Sequence, residues 1–461
     1  MAVLFIGMYW ASALFMAFLQ YKLNFGVKNI VLENTIPAEH VQAPEIKALL
    51  RSFLKRLLLA TVVFGILLFG ILWIRLDSFT MLLFFTSLFG MIIAQFIINI
   101  KAIEEMHELK IEKNWQTGTQ KTLVDIKAVK EKNRKLFPLW WFVFPLLAFL
   151  ILFSWQTAAQ GIDVGTLMNG GMFFAMLILS LWMYYMVEKI PVKALTKDHA
   201  TNQKVNDIQK SFYGRMVLAL LIFSVIMSGA MVQVDTSGNA TKNLLATIVI
   251  LSVTIFMIGY STFIVFGYRA ETNHALSKVQ PVYYENEDEF WRYGIYMNPN
   301  DPRLFVPART STNISLNLGL KKGKILAGIF GGLLVITCIF TIGMLGYNDF
   351  VSHPFQANVE NRNIVLRHGF SSQTLPIDEV TSIQLVETAT IDNAQRINGT
   401  ATQNYWTGRF RLNNEEIRLL IFRKETKVVY IRTTSGAYYI NDRTHGDTVA
   451  MYLRLLDTVK R

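Results

Sequence analysis

Eight long uncharged runs alternate with polar segments over the first three quarters of the chain. None of the runs contains Asp, Glu, Lys or Arg, and each is close to the roughly 20 residues that a helix needs to cross a bilayer. Exclusion of charge from lipid explains this pattern most simply. The sequence therefore predicts eight transmembrane helices, at residues 2–20, 57–74, 78–100, 138–155, 164–187, 216–234, 243–268 and 325–347.

The loops between the runs divide into two classes by their Lys and Arg content. Loops 21–56, 101–137, 188–215 and 269–324 together hold 29 Lys and Arg residues, whereas the three alternate loops hold 2. Cytoplasmic loops retain Lys and Arg, so the four basic loops are predicted to lie inside the cell and both termini outside. The first run has no basic segment before it and no small-residue cleavage site after it, which favours a true span over a signal peptide.

After Tyr347 the pattern changes from continuous to alternating hydrophobicity. Short runs bounded by turn residues predict six strands, at residues 363–367, 382–386, 408–412, 417–423, 427–433 and 437–440. Apolar residues then recur every three or four positions over 444–459, which predicts a helix with Thr444 as its N-cap. Five residues form its expected apolar face, of which Leu453 and Leu456 are predicted to be buried: Val449, Tyr452, Leu453, Leu456 and Val459.

The predicted fold class is a membrane all-α domain of about eight helices, followed by a β-rich domain closed by one helix. The boundaries fall at 1–347 and 350–461. The composition agrees, since 52% of the residues are hydrophobic and 17% are charged, which excludes a disordered, fibrous or ordinary soluble chain. The net charge of +12 comes largely from the predicted inside loops, where the lipid bilayer is the expected partner. Nucleic-acid binding is not predicted, because the basic clusters lack interleaved aromatic residues.

Residues able to carry chemistry are few. The single cysteine, Cys338, lies inside an apolar run, and the seven histidines stand apart from one another. No metal site, cofactor or catalytic set is predicted at any readable spacing, so we expect a protein without enzymatic activity. An envelope enzyme stays an open alternative, because a nucleophile and its base can be distant in sequence.

Three amide side chains interrupt the predicted spans. Gln95 and Asn99 lie four residues apart on one face of the third run, and Asn169 precedes two glycines in the fifth. They either hydrogen-bond across helix interfaces or contact a transported solute. Ion-coupled transport is disfavoured, since it needs ionisable groups inside the membrane. A transporter of an uncharged or peptidic solute is therefore the alternative function.

Residues 289–307 form the least generic stretch of the chain, and we call residues 282–320 the signature segment. Two Asn/Asp-Pro steps, at Pro299 and Pro302, predict a turn whose side chains cap the backbone. The aromatic residues Trp291, Tyr296 and Phe305 are expected to pack around this turn as a small buried cluster.

The signature segment resembles a domain of unknown function found in many multi-span membrane proteins of Gram-positive bacteria, with a Trp-Lys pair, a glycine, an Asn-Pro-x-Asp-Pro core and a Phe-Val pair. The resemblance extends over about residues 1–345, although residues 309–319 depart from it and Arg292 replaces the usual Lys. It implies a plasma-membrane protein loosely akin to immunity and signalling proteins. The matching positions are Trp291, Gly294, Asn298, Pro299, Asp301, Pro302, Phe305 and Val306.

The C-terminal region resembles a bacterial pleckstrin-homology-like (PH-like) domain, most clearly over residues 408–441. Its basic residues have two interpretations, a lipid-phosphate site or the solvent face of a half-buried sheet, because arginines alternate with Phe410 and Leu412. A peptide or protein ligand is expected rather than a phosphoinositide. The predicted role is an interaction, immunity or signalling component, with ligand and oligomeric state left open. The basic residues concerned are Arg409, Arg411, Arg418, Arg423 and Lys424.

Overall fold

Eight helices of the described residues are long and apolar enough to cross a membrane. The computed structural model describes residues 2–24, 28–117, 126–160, 164–236, 240–309, 314–369, 371–413 and 415–459. Each predicted span overlaps one of these helices, and a short helix, α4, precedes the helix of the fourth span. The helices are α1 (Ala2–Leu23), α2 (Pro44–Leu68), α3 (Asp77–Glu112), α4 (Ile126–Lys130), α5 (Val143–Gln160), α6 (Val164–Lys189), α7 (His199–Thr236), α8 (Ala240–Leu276) and α9 (Lys321–Phe350).

Several helices continue beyond their apolar runs, most clearly α7. Its polar first half buries Val205, Ile208 and Phe212 at helical spacing, so packing continues the helix where hydropathy alone does not predict a span. Lys210, which the charge count places in an inside loop, is fully buried here. Its ammonium group donates hydrogen bonds to three carbonyls at the end of α6, the position at which a cation is most favourable.

The chain divides into two compact units. One comprises Leu14–Ala60 and Ile93–Ile329 and is called here the loop unit. Its basic loops carry two hairpins, β1 (Ile30–Val31) with β2 (Asn34–Thr35), and β3 (Phe305–Pro307) with β4 (Ile314–Leu316). The first hairpin is anchored in a cluster with α2 and α3, and the buried members of this cluster include Val31, Leu32, Ile36, Leu50, Phe53, Ile103 and Met106.

The other unit comprises Met1–Ala13, Thr61–Ile92 and Phe330–Arg461, and it contains the C-terminal domain. Two sheets form the domain: an antiparallel sheet in the order β5-β6-β7, and a six-stranded sheet in the order β8-β12-β13-β11-β10-β9, in which only β11 and β13 are parallel among the described pairs. The strands are β5 (Phe355–Glu360), β6 (Asn363–His368), β7 (Ser371–Pro376), β8 (Val380–Glu387), β9 (Gln395–Ala401), β10 (Tyr405–Leu412), β11 (Glu415–Phe422), β12 (Lys427–Thr433) and β13 (Gly436–Ile440).

The six predicted strands are all present, but β5, β7 and β9 were not predicted. Strands β7 and β9 lie at sheet edges and read Ser-Ser-Gln-Thr-Leu-Pro and Gln-Arg-Ile-Asn-Gly-Thr-Ala. An edge strand has one neighbour and more solvent contact, so it tolerates polar residues on both faces. The hydrophobic alternation that predicts a strand is therefore missing from both.

The closing helix, α10 (His445–Val459), packs against the sheets. Thr444 caps it as predicted, since the amide of Asp447 donates to Thr444 Oγ1 over 3.2 Å. The predicted buried face is wrong in one respect, because Leu453 is 52% exposed while Met451 and Leu455 are in the core. Leu453 lies two positions from each of them, about 200° around a helix of 3.6 residues per turn, and so points the opposite way.

Contacts within this unit fix the C-terminal domain against the turn between α2 and α3. The Asn404 side chain donates to the carbonyl of Arg75 over 2.9 Å. At the end of α9, which leads into the domain, Asp349 Oδ2 accepts from the amide of Ser78 over 2.7 Å. The Arg443 guanidinium also donates to the carbonyl of Val351. Hydrogen bonds to other parts of its own unit therefore fix the position of the domain.

Candidate ligand-binding site

A pocket of about 270 Å³ opens between the two sheets of the C-terminal domain. One side is formed by β6 and β7, the other by β10, β11 and β13, and residues near the end of α9 also contribute. A pocket of this size is large enough for a few side chains of a bound segment.

Gln373 of β7 connects the two sides of the pocket. Its Nε2 donates to the Tyr438 hydroxyl over 2.8 Å, and its Oε1 accepts from the guanidinium of Arg418. Arg409 lies directly opposite Arg418 in the β10–β11 register and pairs with Glu416 over 3.3 Å. Two guanidinium groups and an amide therefore line the pocket, and all three can bind carbonyl or carboxylate oxygens.

The interior of the pocket is uncharged. His368 Nε2 lies 2.7 Å from Asn348 Oδ1, and burial lowers the pKa of His368, which keeps the ring neutral. Burial raises the pKa of the Tyr405 phenol, so it stays protonated. Charge on the lining is thus confined to the two arginines, and the remaining surface suits an uncharged, partly apolar ligand.

Two edge strands flank the pocket. Ser371 and Gln373 come from β7, the edge of the three-stranded sheet, and Gly399 and Thr400 come from β9, the edge of the six-stranded sheet. Edge strands carry unpaired backbone groups that can pair with an added strand. The arrangement therefore offers main-chain hydrogen bonds beside a pocket for side chains, which is what binding of an extended peptide requires.

The basic residues of the domain do not converge on one point. Arg409 and Arg418 line the pocket, whereas Arg423 lies over the ring of Trp406 at 4.5 Å. Lys424 and Arg411 are not part of the pocket lining described for this domain. Phosphoinositide recognition uses several cations around one headgroup, so the arrangement agrees better with the solvent-face interpretation of most of these residues.

The signature segment forms a small core of its own in the loop unit. Trp291 is 2% exposed, its ring centroid lies 5.2 Å from that of Tyr296, and Val306 completes the cluster. Phe305 was predicted in this cluster but contacts Trp182 of α6 instead. Successive residues of a strand point to opposite sides, so once Val306 of β3 faces inward, Phe305 must face away.

The turn of the signature segment is built by its Asn and Asp side chains. Asn298 Oδ1 accepts from the amide of Asn300 over 2.9 Å, and Asp301 Oδ1 accepts from the amide of Arg303 over 3.0 Å. Pro299 and Pro302 follow the two capping residues directly, as the pattern predicts. The side chains of Asn298 and Asp301 therefore stabilise the backbone conformation of the turn.

Two further residues of the segment hold this turn in place. Asn317, which is fully buried, donates to the carbonyls of Asn298 and Asp301 over 2.8 and 3.0 Å. Gly319 packs so closely that a Cβ there would lie 2.5 Å from the backbone of Asn298, and Gly294 has a φ of +70°. The roles of Asn317 and Gly319 were not predicted, although the spacing of an Asn two residues before a Gly is visible in the sequence.

A buried ionic centre ties the loops of this unit together. Asp288 lies 2.9 Å from Lys110 Nζ and 2.8 Å from Arg309 Nη1, and it accepts from the amide and the hydroxyl of Thr35 over 3.0 and 2.7 Å. Burial by itself raises the pKa of Asp288, but Arg309, Lys110 and Thr35 outweigh it, so the pKa is lowered and the carboxylate is charged. Lys110 also contacts Glu285 over 2.6 Å.

The three amides of the predicted spans bond side chains of neighbouring elements. Gln95 Oε1 accepts from Gln20 over 3.0 Å, and Asn99 Oδ1 accepts from Asn24 over 3.0 Å. Asn169 bonds the side chains of Gln156 and Ser228 over 3.0 and 2.9 Å. The geometry is that of the helix-interface interpretation, in which amides link neighbouring helices.

Residues 355–443 match the family model of the bacterial PH domain. The match begins with β5 and ends just before α10, so it covers both sheets and the whole lining that the domain contributes to the pocket. The C-terminal domain is therefore similar to bacterial PH domains, and we call it the PH domain. The chain has no match among curated proteins or among solved structures, and the resemblance of the signature segment to a Gram-positive family stays a prediction.

Proposed function

We propose that the protein is a multi-pass plasma-membrane protein without catalytic activity that uses its PH domain to bind an extended peptide or protein segment. The observation that carries this proposal is the pocket between the two sheets, which is flanked by edge strands β7 and β9. A strand added at either edge would gain main-chain hydrogen bonds, and its side chains would enter the pocket. The role that follows is that of an interaction component in signalling or immunity.

The proposed topology places the PH domain and both termini outside the cell. It rests on the ratio of 29 to 2 Lys and Arg residues between alternate loops and on the positive-inside rule. The ionic centre of Asp288, Lys110, Thr35 and Arg309 supports it, because these residues come from loops that are all assigned to the same side. The ligand is then an extracellular segment or part of a neighbouring envelope protein.

A transporter function has less support. Solute passage would need the amides of Gln95, Asn99 and Asn169 to line a path, whereas each of them bonds a side chain of a neighbouring helix or loop. Breaking such a bond to admit a solute would leave a polar group unpaired, which is costly in an apolar environment.

Selection of peptides on the intact protein tests the proposal. Full-length protein in nanodiscs is used to select a phage-displayed library of random linear peptides, with empty nanodiscs as background. Enriched peptides are expected to bind the Gln373→Ala and Arg418→Ala variants about tenfold more weakly, as loss of one hydrogen bond to a charged group predicts. The Arg362→Ala variant is the matched control, since Arg362 is 87% exposed and does not line the pocket.

Three results would contradict the proposal. They are failure to enrich any peptide over empty nanodiscs, equal binding of selected peptides to the pocket variants and the wild type, and binding of phosphoinositide vesicles that the Arg418→Ala change abolishes. The last result would favour the lipid-phosphate interpretation of the domain instead.

A further inference from the structure

A second cavity lies in the loop unit, far in sequence from the PH domain. It has a volume of about 160 Å³ and is lined by the residues that follow α6, by the signature segment and by part of the first hairpin. Four cations line it, Lys28, Lys193, Arg303 and Arg309, against one acidic lining residue, Glu287. We call this cavity the basic cleft.

The carboxylates next to the cleft are already engaged. Asp288 is bound by Lys110 and Arg309, and Asp301 is bound by Arg303 over 2.6 Å. Glu287 contacts Lys193 over 2.6 Å. The four lining cations outnumber the three carboxylates that pair with them, Glu287, Asp288 and Asp301, by one. The cleft therefore keeps an excess of positive charge, which favours an additional anion.

Arg309 has an unused donor. Its Nη1 donates to the carbonyl of Glu33 over 2.8 Å and its Nη2 to Thr35 Oγ1 over 2.7 Å, but its Nε has no acceptor within the described part of the chain. The Arg309 side chain is 6% exposed. A buried donor without an acceptor is destabilising, and a ligand oxygen in the cleft would remove that cost.

Lys193 is held where it can meet such a ligand. Its Nζ lies 4.2 Å from the ring centroid of Tyr284, and the Tyr284 hydroxyl is fixed by a hydrogen bond of 2.6 Å to the carbonyl of Ala194. Partial desolvation in the cleft lowers the pKa of Lys193 to about 8, an effect opposed by Glu287 and reinforced by Arg309 and Lys28. Its side chain is 40% exposed, so solvent reaches the group and a ligand can too.

We propose that the basic cleft binds a phosphate group, carried either by an anionic phospholipid headgroup or by a soluble phosphate ester. The cavity volume of about 160 Å³ is several times the roughly 30 Å³ that one water molecule occupies in the liquid, so the cleft has room for a phosphate group. Arginine and lysine donors match phosphate oxygens. Basic pockets at the ends of membrane helices hold anionic headgroups, and the lining residues Ile190 and Pro191 directly follow the end of α6.

Binding to the purified full-length protein in a non-ionic detergent tests the proposal. The probes are short-chain phosphatidylglycerol, glycerol 3-phosphate and short-chain phosphatidylcholine, measured by calorimetric titration. Phosphatidylglycerol is expected to bind and phosphatidylcholine, which has no net charge, is not. Binding of glycerol 3-phosphate at similar strength would identify a soluble ester as sufficient, whereas binding of phosphatidylglycerol alone would identify a lipid.

The test variants are Lys193→Gln and Arg303→Gln, each expected to weaken binding about tenfold through loss of one charge-assisted hydrogen bond. Lys197→Gln is the matched control, because Lys197 is an exposed lysine of the same loop that does not line the cleft. Arg309→Gln is avoided as the main test, since it would also leave Asp288 with a single cation.

The pH dependence separates a direct role of Lys193 from a structural one. Wild-type binding should weaken as the pH rises through about 8, where Lys193 loses its proton, whereas Lys193→Arg should bind equally well across this range because arginine stays charged. Lack of binding of every probe, or equal binding by Lys193→Gln and Lys197→Gln, would overturn the proposal.

Discussion

Replacing Asp288 by Ala should destabilise the loop unit strongly. The change leaves Lys110, which is 1% exposed, and Arg309, which is 6% exposed, buried without their common carboxylate. Removal of one partner from a buried ion pair costs about 3–5 kcal/mol, and the hydroxyl and amide of Thr35 lose their acceptor as well. Glu285 stays near Lys110, so we expect the lower half of that range.

The matched control is Glu287→Ala. It breaks the contact with Lys193. Both side chains of this pair are partly exposed, Lys193 by 40% and Glu287 by 33%. Exposed ion pairs contribute about 0–1 kcal/mol. The free energy of unfolding is measured for both variants in mixed micelles of a non-ionic detergent and dodecyl sulfate, with tryptophan fluorescence as the readout. A loss for Asp288→Ala no greater than for Glu287→Ala would refute the reasoning.

The same centre should make stability depend on pH in the acid range. The pKa of Asp288 lies below its ordinary value of 3.8 in the folded protein, so the unfolded chain binds a proton more readily than the folded one. The stabilisation is therefore complete above about pH 4 and is lost as the pH falls through the lowered pKa. Asp288→Asn should show a shallower loss of stability on acidification, and an unchanged acid slope would contradict this assignment.

Three further predictions concern other parts of the chain. Leu455→Asp should abolish folding of the PH domain, because it buries an unpaired charge, whereas Leu453→Asp, at a position 52% exposed, should fold normally by near-ultraviolet circular dichroism. Lys210→Met should lower the free energy of unfolding by about 1.5–3 kcal/mol through loss of charged hydrogen bonds to the end of α6, and no change in mixed-micelle unfolding would exclude that role. A cysteine at Asn300, in a chain whose Cys338 is replaced by Ser, should resist an impermeant thiol reagent in intact cells and react after lysis, and labelling of intact cells would reverse the proposed topology.

The number and place of the apolar helices could be predicted from the sequence because exclusion of charge is a local property of each run. The ends of the helices could not, since α7 begins at His199 only because its polar first half packs against neighbouring elements. Among the strands, both ends of β12 (Lys427–Thr433) were predicted correctly, because it is a central strand with buried alternate positions. Strands β7 and β9 were missed because these two edge strands carry polar residues on both faces, which removes the alternation.

The residues of the buried ionic centre were brought together by tertiary structure alone. Asp288 and Lys110 are 178 residues apart, and Asp288 and Thr35 are 253 apart, so no spacing in the sequence marks them as partners. In the charge count Lys110 is one of 29 basic loop residues, and only its burial beside Asp288 distinguishes it. Hydrophobic periodicity records which positions avoid water, whereas the pairing of distant polar groups depends on how the loops pack, and this information exists only in the folded chain.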